Sequence, residues 1–280
     1  MRRWFMSAIA VFISFNALAN TPIEEPAKPD VQTKQKAQLD LGIGLGYSQI
    51  PHYLGSEQSH HYTIPFPYVY YRSEHLTVDR QSVRADLWKN QNWELDYSLS
   101  AAFALDSDEN QARANMPDLA WVLAAGPALK YHFERDLEKG ALTGILAARH
   151  AVGIDENGLD HVGFIFEPGL AYQKAFPLNS SQIILSLQAQ LVFAEQNYLD
   201  YYYGVAQSYA TENRAAYQAN SGFYASQLSL GLSYRHNNWW FGGFVRHYNL
   251  AGSSIEDSPL VRQQQNNLIG IAVTRIFPIY

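Results

Sequence analysis

From residue 39 to the C-terminus the chain repeats one pattern: apolar and polar residues alternate one by one through segments of about 10 to 15 residues. Leu39, Leu41, Ile43, Leu45 and Tyr47 share one face, with Asp40, Gly42, Gly44 and Gly46 on the other. Trp93, Leu95, Tyr97, Leu99, Ala101, Phe103 and Leu105 alternate with Glu94, Asp96, Ser98 and Ser100. The same rhythm returns from Leu119 to Phe133, from Val162 to Tyr172, from Ile183 to Phe193 and from Tyr224 to Tyr234. A period of two is the side-chain period of a β-strand. These segments are roughly twice the usual 5–6 residues of a globular strand. Aromatics gather at the ends of the apolar faces: Tyr47, Trp93, Phe103, Trp121, Phe133, Phe164, Tyr172, Phe193, Tyr224 and Tyr234. Long strands, one apolar face bounded by aromatic girdles and one polar face predict an all-β fold, an antiparallel transmembrane β-barrel. A closed barrel pairs the backbone groups that lipid cannot solvate. A secreted β-sandwich is the competing fold, and strand length argues against it.

Composition removes other classes. Only 16% of residues are charged, against about 25% in soluble domains. With 6 Trp, 19 Tyr and 14 Phe the chain is too aromatic to be disordered. It has no cysteine, hence no disulfides or thiolate metal sites. Its net charge of −6 argues against nucleic acid as a partner. A mean hydropathy of −0.24 argues against a bundle of membrane helices.

The first residues differ from the rest. Arg2 and Arg3 precede an apolar run from Trp4 to Phe15, and Ala17-Leu18-Ala19 fits a small-x-small cleavage site. Residues 1–19 are expected to be a secretory signal peptide cut after Ala19. That leaves 18 basic against 26 acidic residues. Residues 20–38, with Pro22, Pro26 and Pro29, read as a flexible periplasmic arm, and 39–280 as the barrel.

Short links are expected near 72–73, 90–91, 134–139, 176–180 and 236–238, and longer loops at 48–60, 106–117, 151–160, 195–221 and 251–266. Outer-membrane barrels alternate short periplasmic turns with longer extracellular loops. One further turn near Arg80 and Gln81 gives about twelve strands with both termini periplasmic. They fall roughly at 39–48, 61–71, 74–79, 82–88, 92–105, 118–133, 140–151, 161–174, 181–195, 222–235, 238–250 and 267–278. The third and fourth are short, and ten strands is the alternative. Phe277 or Tyr280 supplies the C-terminal aromatic.

Several short motifs recur in a familiar order. Gly44-x-Gly46 leads to Pro51-x-Tyr53-x-Gly55-Ser56, then Pro65-x-Pro67 and Tyr71-Arg72. Gly126-Pro127-x-Leu129, Tyr203-Gly204-Val205, Tyr217-x-Ala219 with Ser221-Gly222, and Ser258-Pro259-Leu260-Val261 follow. Together they resemble the MipA/OmpV family over residues 40–277. The resemblance implies an outer-membrane location and a non-enzymatic scaffold role, linking the membrane to peptidoglycan-remodelling enzymes. A lytic transglycosylase and a murein synthase are the implied periplasmic partners. Some members are described as adhesins or porin-like proteins. No catalytic residues, cofactors or metals come with the family.

The residues support the same expectation. A hydrolase needs a Ser or Asp working with a His, yet no Gly-x-Ser-x-Gly is present and the nine His are scattered. Asp106 and Asp108 share a rim loop that holds no His. His52, His60 and His61 cluster near the first extracellular loop without a recognised metal-ligand spacing and read as solvated loop histidines. Arg84, Asp86, Glu94, Asp96, Lys130, His132, Arg149, Glu167, Arg235 and Arg246 are expected on the lumen face as a self-compensating ionic network; a selective pore is the other reading. Pro65 and Pro67, which lack a ladder donor, predict a weak seam beside the second strand, with a bent rim as the alternative. Tyr198, Tyr201, Tyr202, Tyr203, Tyr209 and Tyr217 crowd the 195–221 loop, where an adhesin would place its contact surface.

Overall fold

The computed structural model describes residues 38–72, 76–78, 83–155, 158–178 and 181–279. The expected signal peptide and nearly all of the expected arm lie outside the described residues, as does the turn expected at 80–81.

Alternation becomes twelve antiparallel strands: β1 (Gln38–Pro51), β2 (Ser59–Arg72), β3 (Leu76–Val78), β4 (Val83–Lys89), β5 (Trp93–Ala102), β6 (Trp121–Glu134), β7 (Ala141–Asp155), β8 (Gly158–Leu178), β9 (Ser181–Ala194), β10 (Gly222–His236), β11 (Trp239–Asn249) and β12 (Gln265–Ile279). Each pairs with its neighbours in sequence, and β1 pairs with β12 from Leu39↔Ile279 to Gln49↔Ile269, closing the barrel. The ten-strand alternative is thereby excluded. Both described chain ends lie at the end with the short turns, which faces the periplasm in this architecture.

The apolar face points outward. Ile43, Leu45, Phe133, Leu170, Leu228, Leu232 and Ile271 are all exposed, as lipid contact requires. At the terminal end Trp93, Tyr131 and Phe133 pack edge to face, with centroids 4.8 and 4.9 Å apart. At the other end Phe103 lies 5.2 Å from Trp121, and Phe193 5.8 Å from Phe223. No described helix is long and apolar enough to cross a membrane, which says nothing against crossing by strands.

Three details depart from the alternation. Val162 and Tyr224, expected on the outer face, are buried inside. Each is the extra residue of a β-bulge: Ala151 pairs with Gly163 and Val152 with His161, while Phe223 pairs with Phe193 and Ala225 with Val192. One inserted residue reverses the facing of what it displaces. The expected 151–160 loop is instead strand, with β7 and β8 paired out to Asp155↔Gly158. Leu105 and Leu119, read as strand residues, pair with each other in an isolated bridge and are buried among loops.

The described pairing differs on the two sides of β2. The ladder to β1 runs unbroken from Gln38↔Arg72 to Pro51↔Ser59. On the other side, among the described residues, β2 pairs with β3 at Tyr71↔Val78 and Arg72↔Thr77. Pro65 and Pro67 interrupt nothing on the β1 side if the residues between them make those bonds, which turns their ring nitrogens toward the open side.

Candidate functional site

Loops close the far end of the barrel. Their apolar residues form the largest buried cluster of the molecule, with Tyr53, Leu105, Met116, Leu119, Leu199, Tyr203, Leu250, Ile255 and Leu260 at its heart. A helix, α1 (Gln196–Tyr203), turns inward and buries Leu199, Tyr202 and Tyr203. The bulged Val162 and Tyr224 project beneath it into the same cluster. Gly163, at φ +140°, allows the approach: a Cβ there would stand 2.7 Å from the Tyr198 backbone nitrogen.

Polar contacts fix the cap. Tyr53 donates its hydroxyl to the Leu260 carbonyl at 2.9 Å, and burial raises that hydroxyl's pKa to about 12, keeping it a donor. Ser258 Oγ donates to the Tyr203 carbonyl at 2.8 Å, and the Tyr203 hydroxyl donates to the Leu54 carbonyl at 2.7 Å. Arg113 is buried and donates to the carbonyls of Tyr202 (2.8 Å) and Pro117 (3.1 Å) and to Ser107 Oγ (3.2 Å). Asp200 Oδ1 accepts from the Ala219 amide at 2.6 Å, and Val205 bridges to Tyr217. The motifs around 51–56, 203–205, 217–219 and 258–261 therefore meet in one structure.

The expected adhesive tyrosines are spent here. Tyr198, Tyr202 and Tyr203 pack inward, the Tyr201 hydroxyl accepts from the Ala120 amide at 2.7 Å, and Tyr217 donates to the Ser254 carbonyl at 3.0 Å. Tyr209 packs against the same cluster and accepts from Arg214 through its carbonyl. Tyr202 and Tyr203 are buried by this folding, while Tyr198, Tyr201, Tyr209 and Tyr217 stay partly exposed.

The histidines divide. His52 and His60 stack with centroids 4.0 Å apart, and His52 Nδ1 lies 3.1 Å from Asn110 Nδ2. His60 also approaches Glu109 at 3.9 Å. His61 is exposed and contacts the Tyr47 hydroxyl at 2.9 Å. Among the described residues no group of three or more His, Asp or Glu is arranged to hold a metal ion. Asp106 and Asp108 accept backbone N–H groups of Asp108 (3.1 Å) and Asn115 (2.9 Å), capping their own loop.

His52 makes the cap sensitive to acid. Burial, then the neighbouring His60, lowers its pKa to about 4, against about 6.5 for a free imidazole. An opened cap takes up the proton first, so the stability present above pH 6.5 falls as pH drops toward 4. Protease cleavage within 51–58 is expected to accelerate between pH 7 and 4.5. The His52→Asn variant should flatten that dependence.

Below the cap the lumen carries paired charges. Lys130 pairs with Asp96 at very short range and with Glu94 at 3.4 Å, while Glu94 also meets His132 at 3.3 Å and Lys89 at 3.5 Å. Nearer the cap Arg149 pairs closely with Glu167 and donates to Ser98 Oγ at 3.0 Å; Arg246 donates to Ser229 Oγ at 3.0 Å. Arg235 lies nearer the terminal end, on β10. The expected network thus exists as two groups at different depths; the side chains of Arg84 and Asp86 lie outside the described residues. At the periplasmic mouth the 135–140 turn tucks Leu137 against Ala175 and Ile184. Sequence reasoning missed Arg113, Asn110 and Asp200, whose polarity in long loops carries no signal of burial.

Between cap and network lies a cavity of about 220 Å³. Arg149, Glu167, Gln190, Gln227 and Arg246 form its polar part, with Tyr198, Tyr202 and Tyr224 above and His60, Tyr62 and residues 100–104 at its side.

The chain is 32% identical over 89 residues to the outer membrane protein Omp26La of Vibrio anguillarum, a match spanning 32% of this chain and 34% of that protein. Among solved structures it is similar to a bacterial polysaccharide outer membrane secretin (TM-score 0.38, 9% identity, covering 89% of this chain and 100% of the other). It is also similar to Neisserial surface protein A (TM-score 0.26, 8% identity, 87% and 100%). The family model described as MltA-interacting protein MipA matches residues 43–277, nearly the whole barrel, and the chain belongs to that family of outer-membrane proteins.

Proposed function

We propose that this barrel is a non-enzymatic, non-conducting scaffold of the cell envelope that holds peptidoglycan-remodelling enzymes at the outer membrane. The observation that carries this reading is occlusion at three levels: the loop cap, the paired lumen charges and the Leu137 turn. Residues of the chain itself at all three levels favour contact over transport. The family description, MltA-interacting protein, supports a lytic transglycosylase as one partner. Periplasmic binding then falls to the arm and to the short turns. Arg135 joins two of these turns, donating through Nε to the Gln91 carbonyl at 2.9 Å.

Purified barrel in nanodiscs is expected to retain a lytic transglycosylase and a murein synthase. Deleting 20–38, or making Arg135→Ala, should weaken retention about tenfold. Retention of neither enzyme by the intact protein would remove the scaffold reading.

A further inference from the structure

We propose that His150 and His161 form a two-histidine site for a divalent transition metal, copper(II) above all, on the outer face of the barrel near the extracellular end of β7 and β8. The inference stands apart from the scaffold reading, which concerns the periplasmic end.

A β-bulge makes the pair. In an unbroken ladder continuing from His150↔Phe164, the next outward residue of β8 would be Val162, and His161 would point into the barrel. Val162 is instead the extra residue: Ala151 pairs with Gly163, and Val152 with His161. One insertion buries Val162 in the cap and turns His161 to the outer face, diagonal to His150. Diagonal cross-strand neighbours are within reach of aromatic and long side chains.

The two rings meet end to end. His150 Nε2 lies 2.7 Å from His161 Nδ1, while the ring centroids are 4.9 Å apart and the planes differ by 22°. Nitrogens so close on centroids so far apart mean that the rings face each other by their edges. One nitrogen carries a hydrogen and the other accepts it. A divalent ion taking the place of that hydrogen meets two imidazole donors of the kind that copper, nickel and zinc favour. Metal–nitrogen bonds of about 2.0–2.1 Å, at right-angled or tetrahedral geometry, set the two nitrogens about 2.9–3.4 Å apart. The pair reaches that spacing by parting less than about 1 Å, through a small rotation of either side chain. His52 and His60 differ: their rings stack at 4.0 Å and turn faces, not nitrogens, toward each other.

The site lies where water can reach it. His161 is exposed. Phe164 of the outer aromatic girdle packs 4.8 Å from His150 and 5.9 Å from His161, which sets the pair at the level where lipid gives way to water. Among the described residues no group of three or more His, Asp or Glu includes the pair. The remaining coordination positions therefore fall to water, and the ion is exchangeable.

The test adds copper(II) chloride to the full barrel, free of any histidine tag, in nanodiscs whose own copper binding is subtracted. Calorimetry gives the affinity, and electron paramagnetic resonance counts the nitrogen ligands. One tight ion per chain with two nitrogen ligands is expected, and zinc should bind more weakly than copper. His150→Gln and His161→Gln should each weaken copper binding at least tenfold. His247→Gln, which removes another outer-face histidine, bonded to Asn267 at 2.9 Å, should leave it unchanged. Heat-modifiable gel mobility establishes that each variant is folded. Equal copper affinity in the native protein and His150→Gln would overturn the site, as would a loss in His247→Gln matching that in His161→Gln. A spectrum with a single nitrogen ligand would overturn the pairing, and zinc binding as tightly as copper would overturn the preference for copper.

Discussion

Lys130→Met is expected to destabilise the folded barrel by about 3–5 kcal/mol, the cost of leaving a buried charge without its partner. Asp96 is 1% exposed, Lys130 is its ion-pair partner through Oδ2, and its Oδ1 makes no hydrogen bond. Glu94 is better protected, because His132 and Lys89 remain beside it. The loss therefore falls mainly on Asp96. Adding Asp96→Leu to Lys130→Met should recover most of the lost stability, as replacing a whole buried pair by apolar side chains is often neutral. Denaturant unfolding in lipid vesicles checks both variants. Equal stability of Lys130→Met and the native chain would mean that water reaches this level of the lumen freely.

The second large effect is expected at Gly163. A Cβ at this position would lie 2.7 Å from the Tyr198 nitrogen and 2.9 Å from its Cβ, in a backbone conformation that L side chains rarely adopt. Gly163→Val should cost roughly 3 kcal/mol from backbone strain alone. The strand is locked into two ladders, so the element free to yield is α1. We expect the helix to lift out of the barrel, exposing Leu199, Tyr202 and Tyr203. Trypsin should then cut within 204–221 at least tenfold faster, at Arg214, while the strands stay protected. Unchanged cleavage would mean that β8 yields instead of the cap.

These two sites differ in how far the sequence disclosed them. The lumen charges were legible because a period of two leaves Glu94, Asp96 and Lys130 no position but the inner face. Most strand positions followed from the same arithmetic, though the 151–160 segment read as a loop is strand and Leu105 and Leu119 fall outside the strands. The bulges were not legible. Val162 and Tyr224 are apolar, suit either face, and change sides through one unpaired residue that no local pattern records. The cap was half legible. Its motifs stood out as strings, yet nothing local shows that Tyr53 reaches Leu260, 207 residues away, or that Ser258 reaches Tyr203. Arg113 reads in sequence as an ordinary loop charge, and only the folded loops turn it into a buried clamp. Contacts that depend on where loops land are invisible to periodicity.

The interior of the barrel is occupied by its own residues at the cap, in the lumen and at the periplasmic mouth. Planar-bilayer recording of the purified native protein at neutral pH tests that most directly. The account predicts a silent membrane after insertion, and one that stays silent when Gly163→Val lifts the cap, because the paired lumen charges and the Leu137 turn lie below it. A stable ohmic step accompanying every insertion of the native protein would contradict it.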